Sequence, residues 1–241
     1  MARRLQDKLA LITGAANGIG AAVARAYAQA GARLILLDCD LEGLERSDDR
    51  CKALGAAVTL VQLDLQEGAK IDALGVEVAG RFGRLDILVG NAAVLGVLGP
   101  TAHMEPKVWE QVMAVNVNAN WRLLHAFDAL LQKSPMGRAI FTTSYITEHV
   151  KAYWSAYATS KVALNRLVQT YATETQNIAP NLRVNLVDPG IVRTKLRAEA
   201  MPGEDPQTLP APEDVVDVFV ELAVPNCQQH GEVIRVGHKA V

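Results

Sequence analysis

Tyr157 and Lys161 stand four residues apart in the run Ser155 to Leu167, where Ala158, Ala163, Leu164 and Leu167 supply the apolar positions of a helix. On a helix, side chains at i and i+4 share one face, one turn above the other. A free phenol titrates near ~10. An ammonium at ~4–6 Å, at an effective dielectric of about 20, favours the phenolate by roughly 3–4 kcal/mol. That spacing predicts a tyrosine hydroxyl brought towards neutrality, where a general acid or base works best. The same spacing also occurs on ordinary helix surfaces, so the elements around it have to supply the context.

Those elements alternate. An apolar run at residues 8–13 precedes Gly14-Ala-Ala-Asn17-Gly18-Ile19-Gly20 and an alanine-rich helix over 21–30. A strand, a glycine-rich turn and a helix start make a phosphate site, because the first amides of a helix are unpaired and its dipole is positive there. Glycine suits a turn where backbone touches a pyrophosphate or a helix presses on a strand. The next strand, 33–38, ends at Asp38, eighteen positions beyond Gly20. A carboxylate there accepts hydrogen bonds from both hydroxyls of an adenosine ribose and repels a 2′-phosphate. Neither Ala15, Ala16 nor Cys39 offers that phosphate a positive charge, so the sequence favours NAD(H) over NADP(H). The alternative is that Asp38 caps the helix beginning near Leu41.

Further strands are expected at 58–64, 85–89, 137–144, 182–187 and 231–236, with helices at 69–82, 106–131 and 155–175. Strands of near-continuous apolar character alternating with helices imply a parallel sheet covered on both faces. Asn116 and Asn118 fall among Met113, Val115, Val117 and Trp121, and a buried asparagine needs partners. Asn116 either satisfies a kink or holds a water in a proton path. Ser144 ends a strand thirteen residues before Tyr157, which faces it towards the ligand crevice of such sheets.

The totals narrow the class. The 241 residues are 50% hydrophobic and 21% charged, enough for one sizeable core, and the net charge of −2 makes no case for nucleic acid or an anionic membrane. Cys39, Cys51 and Cys227 are odd in number and in no metal-ligand spacing, which reads as free thiols in a reducing, cytoplasmic compartment. No apolar run reaches the length of a membrane span. His103, His125 and His149 likewise have no metal spacing, so no metal is expected.

Taken in order, Thr13-Gly14-x-x-x-Gly18-x-Gly20, Asn91-Ala92, Asn116, Ser144, Tyr157-x-x-x-Lys161 and Pro189-Gly190 followed by Thr194 resemble the short-chain dehydrogenase/reductase family of the compact type, over essentially the whole chain. The resemblance implies a three-layer α/β Rossmann fold with a seven-stranded parallel sheet, forming a single domain over 1–241. It implies Tyr157 as catalytic acid/base, Lys161 as its partner and a contact to the nicotinamide ribose, Ser144 orienting the substrate oxygen, and Asn116 anchoring a water behind Lys161. By the same match, Gly14, Asn17, Gly18, Ile19 and Gly20 would cradle the pyrophosphate. Asp64 and Leu65 would flank the adenine, Asn91 and Ala92 would lie along the cofactor, and Pro189, Gly190, Val192 and Thr194 would border the carboxamide.

The expected activity is NAD(P)-dependent interconversion of a secondary alcohol and a ketone; the alternative is a non-catalytic dinucleotide sensor or scaffold. A homodimer or homotetramer is implied by the family's helix pairing. Three departures stand out. Gly90 replaces an asparagine that usually ties neighbouring strands, which should loosen that junction; Ala93 adds a methyl near the cofactor; and Asp188 stands where Asn or Ala is commoner. Residues at about 191–212 read as a mobile lid over the pocket. Tyr145, Tyr153, Trp154 and Met201 read as apolar walls or simple packing. Arg193, Lys195 and Arg197 read as a solvated lid edge or, alternatively, an anionic substrate contact.

Overall fold

Each strand but the last is followed by a helix that returns the chain to the same edge of a growing sheet. In the computed structural model, which describes residues 3–237, the order is β1 (Leu9–Thr13), α1 (Gly18–Gln29), β2 (Arg33–Asp38), α2 (Leu41–Lys52), β3 (Val58–Gln62), α3 (Gly68–Phe82) and β4 (Ile87–Gly90). The second half continues with α4 (Pro106–Met113), α5 (Ala119–Lys133), β5 (Arg138–Thr142), α6 (Ser155–Thr175), β6 (Arg183–Asp188), α7 (Lys195–Ala200), α8 (Asp217–Ala223) and β7 (Val233–Arg235). All seven strands are parallel, in the order β3-β2-β1-β4-β5-β6-β7. This is the seven-stranded Rossmann sheet expected from the motif order.

Alternate residues of each strand enter opposite cores. Ala10 and Ile12 pack with Val23, Tyr27 and Phe219 from α1 and α8, whereas Leu9 and Leu11 pack with Ile71, Leu123 and Leu164 from α3, α5 and α6. Both faces are therefore dry, which is why the strands read as unbroken apolar runs. Three strands end earlier than the sequence suggested. β3 stops at Gln62, leaving Asp64 in a turn where its carboxylate accepts from Gln66 N at 2.9 Å. β5 stops at Thr142, so Ser144 sits in the following loop, and β7 covers only Val233–Arg235.

The helix expected over 106–131 is two helices joined by a π-helical turn at Ala114–Asn118. The extra residue in that turn leaves carbonyls without an ordinary helical donor, and Asn120 Nδ2 meets that of Asn116 at 2.9 Å. Asn116 itself points inward and is wholly buried.

Gly90 does not loosen its junction. It pairs directly with Phe141 across β4 and β5, and a Cβ on Gly90 would lie 2.3 Å from the Phe141 ring. The ring fills the space that a side chain at 90 would take. The tie between strands is carried by the next residue: Asn91 Nδ2 donates to Thr13 O at 3.2 Å, and Asn91 Oδ1 accepts from Thr142 Oγ1 at 3.1 Å. Substituting Gly90→Ala is expected to cost about 1–3 kcal/mol by overpacking against the fully buried Phe141 ring. In urea unfolding, Phe141→Leu should cost at least ~1 kcal/mol less in the Gly90→Ala background than alone. Simple additivity of the two costs would show that this contact is not the cause.

Candidate active site

The C-terminal ends of the strands open onto one crevice of about 410 Å³, centred where the chain reverses direction between β1 and β4. Ligands bind at such reversal points because the loops from neighbouring strands diverge there. At its middle, the glycine turn runs into α1. Gly14 has a φ of +67°, and a Cβ on Gly20 would fall 2.1 Å from Gly14 O, so helix and turn touch only because both residues lack side chains. Asn17 precedes α1 in extended conformation and makes no side-chain cap, leaving the first helix amides for a bound anion.

Asp38 forms one end of the crevice. Its carboxylate accepts from Ala16 N at 3.1 Å and from Asp40 N at 3.1 Å, and it lines the cavity with lone pairs to spare. The alternative role as helix cap belongs to Asp40 instead, whose side chain accepts from Gly43 N at 3.0 Å. Asp64 and Leu65 line the same end.

The other end gathers Ser144, Tyr157 and Lys161. Tyr157 is 7% exposed and Lys161 2%. Lys161 Nζ donates to Thr142 O at 2.9 Å and lies 5.7 Å from the centre of the Tyr157 ring. Burial pushes the Tyr157 phenol above its ordinary value; a hydrogen bond with Ser144 pulls it back, while the charge of Asp188 pushes it further up. Burial also pushes the Lys161 ammonium down to about 8. The expectation that lysine acidifies this phenol is therefore reversed in the protein alone. Both groups lie in a dry pocket, and loss of water opposes charge on each more strongly than their proximity favours it.

Of the catalytic and cofactor-binding residues put forward from the sequence, all but Gly20 and Asn116 line the crevice. Gly20 lies behind Gly14. Asn116 lies behind the wall: Oδ1 accepts from Val94 N at 2.9 Å, and Nδ2 donates to Val94 O at 2.9 Å and Ser160 Oγ at 3.0 Å. Thr13 was named only as part of the glycine motif and Thr142 was given no role, yet Thr13 Oγ1 accepts from the amides of Asn91 and Ala92 at 3.0 and 3.1 Å, and the Thr142 carbonyl holds Lys161. Their position at strand ends was the available signal.

Tyr145 and Trp154 line the crevice, whereas Tyr153 is 60% exposed and Met201 packs just outside, beside Trp154 and Ala200. Arg193 and Lys195 face solvent as expected of an edge, but Arg197 does not: it is half-buried, lines the crevice and is paired with Glu204. No described helix is long and apolar enough to cross a membrane.

A family profile for short chain dehydrogenase matches residues 8–205. The chain is 38% identical over 221 residues, 90% of its length and 86% of the relative's, to the uncharacterised oxidoreductase YciK of Escherichia coli K12. It is 32% identical over 200 residues, 83% of its length and 76% of the relative's, to D-threitol dehydrogenase of Mycolicibacterium smegmatis. A crystallised short chain dehydrogenase of Shigella flexneri 2a, complexed with NADP, superposes with a TM-score of 0.90 at 35% identity, covering 98% of this chain and 99% of the other.

The buried ammonium sets a stability test. A lysine near 8 in the fold and near 10.5 in the unfolded chain destabilises the protein by roughly 3 kcal/mol below pH 8. Between those values the unfolded chain binds the extra proton, so stability from this group recovers as pH rises. Lys161→Met should therefore raise the unfolding free energy near pH 7, with a gain that shrinks steadily towards pH 10.5. A gain independent of pH would refute the buried charge as its source.

Proposed function

This chain belongs to the short-chain dehydrogenase/reductase family, oxidoreductases acting on CH–OH groups with NAD or NADP, and we propose that it interconverts a secondary alcohol and a ketone with NAD(H) as preferred cofactor. The observation that carries this reading is the assembly of Ser144, Tyr157 and Lys161 at one end of a crevice that has an uncapped helix start at its middle and a carboxylate at its far end. Those residues fit a dinucleotide. The amides of α1, with Gly14, Asn17, Gly18 and Ile19, would hold the pyrophosphate, and Asp38 the adenosine ribose. Asp64 and Leu65 would flank the adenine, Asn91 and Ala92 would run beside the cofactor, and Pro189, Gly190, Val192 and Thr194 would border the nicotinamide end. When bound, the cofactor supplies the redox chemistry by taking up or giving a hydride.

The chain's own residues handle the proton and the oxygen. In the oxidising direction Tyr157 takes the proton of the substrate hydroxyl, and in the reducing direction it returns it. Ser144, within hydrogen-bond reach of that phenol, holds the substrate oxygen; removing a comparable donor costs about 2.7–4 kcal/mol of transition-state stabilisation. Lys161 stands ready to stabilise a phenolate once the pocket carries charge, and the carbonyl of Thr142 keeps its ammonium in place. Asn116 fixes the wall at Val94 and the helix at Ser160, so its role is to hold the reacting groups in register. The segment 191–212 closes the substrate side, within a single domain. The name of the threitol-oxidising relative supports a small hydroxylated substrate.

The preference for NAD(H) rests on Asp38, against a structural relative that carries NADP. Steady-state rates should favour NAD over NADP by at least tenfold, and Asp38→Ala should shrink that ratio by tenfold or more; a wild-type preference for NADP would overturn the assignment. Tyr157→Phe should lower kcat at least ~10²-fold while NADH still binds, measured by its fluorescence. Near wild-type turnover in that variant would remove Tyr157 from the mechanism.

A further inference from the structure

Arg197 places a guanidinium in the wall of the crevice on the substrate side, and Glu204 pairs with it from outside the lining. Thr194 caps α7 by accepting from Arg197 N at 3.2 Å, which orients the first turn of that helix. Arg197 Nε donates to Glu204 Oε2 at 2.6 Å and Nη2 donates to Glu204 Oε1 at 2.7 Å. The side chains are only 12% and 25% exposed. Tyr145, the residue after Ser144, stands near the guanidinium and lines the same stretch of wall, so this pair reaches back to the segment that holds the substrate oxygen. Arg197, Tyr145, Trp154 and Leu196 all line the cavity.

A buried arginine with no partner is a carboxylate or phosphate site, because its planar fork matches two oxygens at once. Here that fork is already filled from within the chain. A second carboxylate entering the crevice would have to displace Glu204 or sit beside its charge, and like-charge juxtaposition is a means of rejecting the wrong partner. A hydroxyl or carbonyl meets no such repulsion, and it can bond to guanidinium protons and carboxylate lone pairs that the pairing leaves open. Three other charged groups belong to this neighbourhood. Lys151 stands across from Glu204 with its ammonium 4.7 Å over the Trp154 ring, but it is exposed to solvent and outside the crevice wall; Arg193 and Lys195 also face outward.

Building on the alcohol–ketone reading above, we propose that the Arg197–Glu204 pair is the specificity determinant of the substrate side, admitting neutral hydroxylated alcohols and ketones and rejecting those that carry a carboxylate. Glu204 neutralises Arg197 from behind the lining, so the stretch of wall that Arg197 forms is polar without net charge. The function of Glu204 is thus exclusion, while Arg197 and Tyr145 supply the contact.

The test uses 1,4-pentanediol and 4-hydroxypentanoate, which share a secondary alcohol and differ in charge at the far end. Measured quantities are kcat/KM with NAD and, independently of turnover, calorimetric binding of each compound to the enzyme–NADH complex. The wild type should favour the diol by at least tenfold in both. Glu204→Gln should carry both ratios past one, so that the acid is favoured, and adding Arg197→Met should bring them back only to near one. Arg197→Met alone should raise KM for the diol with kcat little changed. Should E204Q not fold, the double variant carries the test, with an expected diol-to-acid ratio near one. A ratio unchanged within twofold in E204Q, a wild type that prefers the acid, or no binding of either compound to any form overturns the proposal. Absent turnover with intact discrimination in binding would count against the alcohol–ketone reading and leave the charge assignment standing.

Discussion

A lysine ammonium sealed from water at the end of β5 is the constraint from which the reactive end of this molecule is built. The Thr142 carbonyl can hold Lys161 only because β5 stops there and the chain turns away, leaving that oxygen outside the sheet's own hydrogen bonding. The adjoining residues follow from the same turn. Thr143 donates to Asn165 Oδ1 on α6, and Ser144 emerges beside the Tyr157 hydroxyl. The end of β5, the first residues of the loop that leaves it and one face of α6 thus hold Ser144, Tyr157 and Lys161 together. The cost is electrostatic: burial that fixes Lys161 also lowers its affinity for a proton, and burial of Tyr157 resists the phenolate. At neutral pH the pocket therefore holds a neutral phenol beside an ammonium that burial has made readier to give up its proton.

The wall behind that site is held by a departure from regular helix. A continuous α-helix from Pro106 to Lys133 would have no extra residue with which to turn Asn116 inward, and the π-helical turn supplies it. Asn116 then spends its amide on the backbone of Val94 and on Ser160, tying the loop after β4 to α6. Helix widening at a functional region trades regular hydrogen bonding for one inward-facing polar side chain. Across the crevice, Arg197 and Glu204 give the substrate side a comparable internal tie, made between residues seven apart in the chain and therefore independent of the sheet.

Much of the site was legible because its groups come with local signatures. A glycine turn between strand and helix, an acid ending the second strand and Tyr157 one helical turn from Lys161 need only backbone periodicity to be placed on the same edge of a parallel sheet. The strand and helix boundaries were legible to within a few residues, since apolar runs mark burial on both faces. What escaped depends on residues far apart in the chain. The consequence of Gly90 lay in Phe141, fifty-one positions away, whose ring fills the missing side chain's space. The tie that Gly90 cannot make falls to Asn91, which joins Thr13 to Thr142. Arg197 read as a solvated charge because its partner, seven residues on, lies beyond the end of α7, where helical periodicity no longer places side chains.

By itself, then, the sequence determined the order of elements, the parallel sheet and the set of side chains brought to its C-terminal edge, because those depend on periodicity and on short-range turn chemistry. Tertiary structure alone decided the direction in which Tyr157 and Lys161 are shifted. Coulomb attraction between two nearby groups can be read from their spacing, but the loss of water that opposes it depends on everything packed around them, and here that loss is the larger effect.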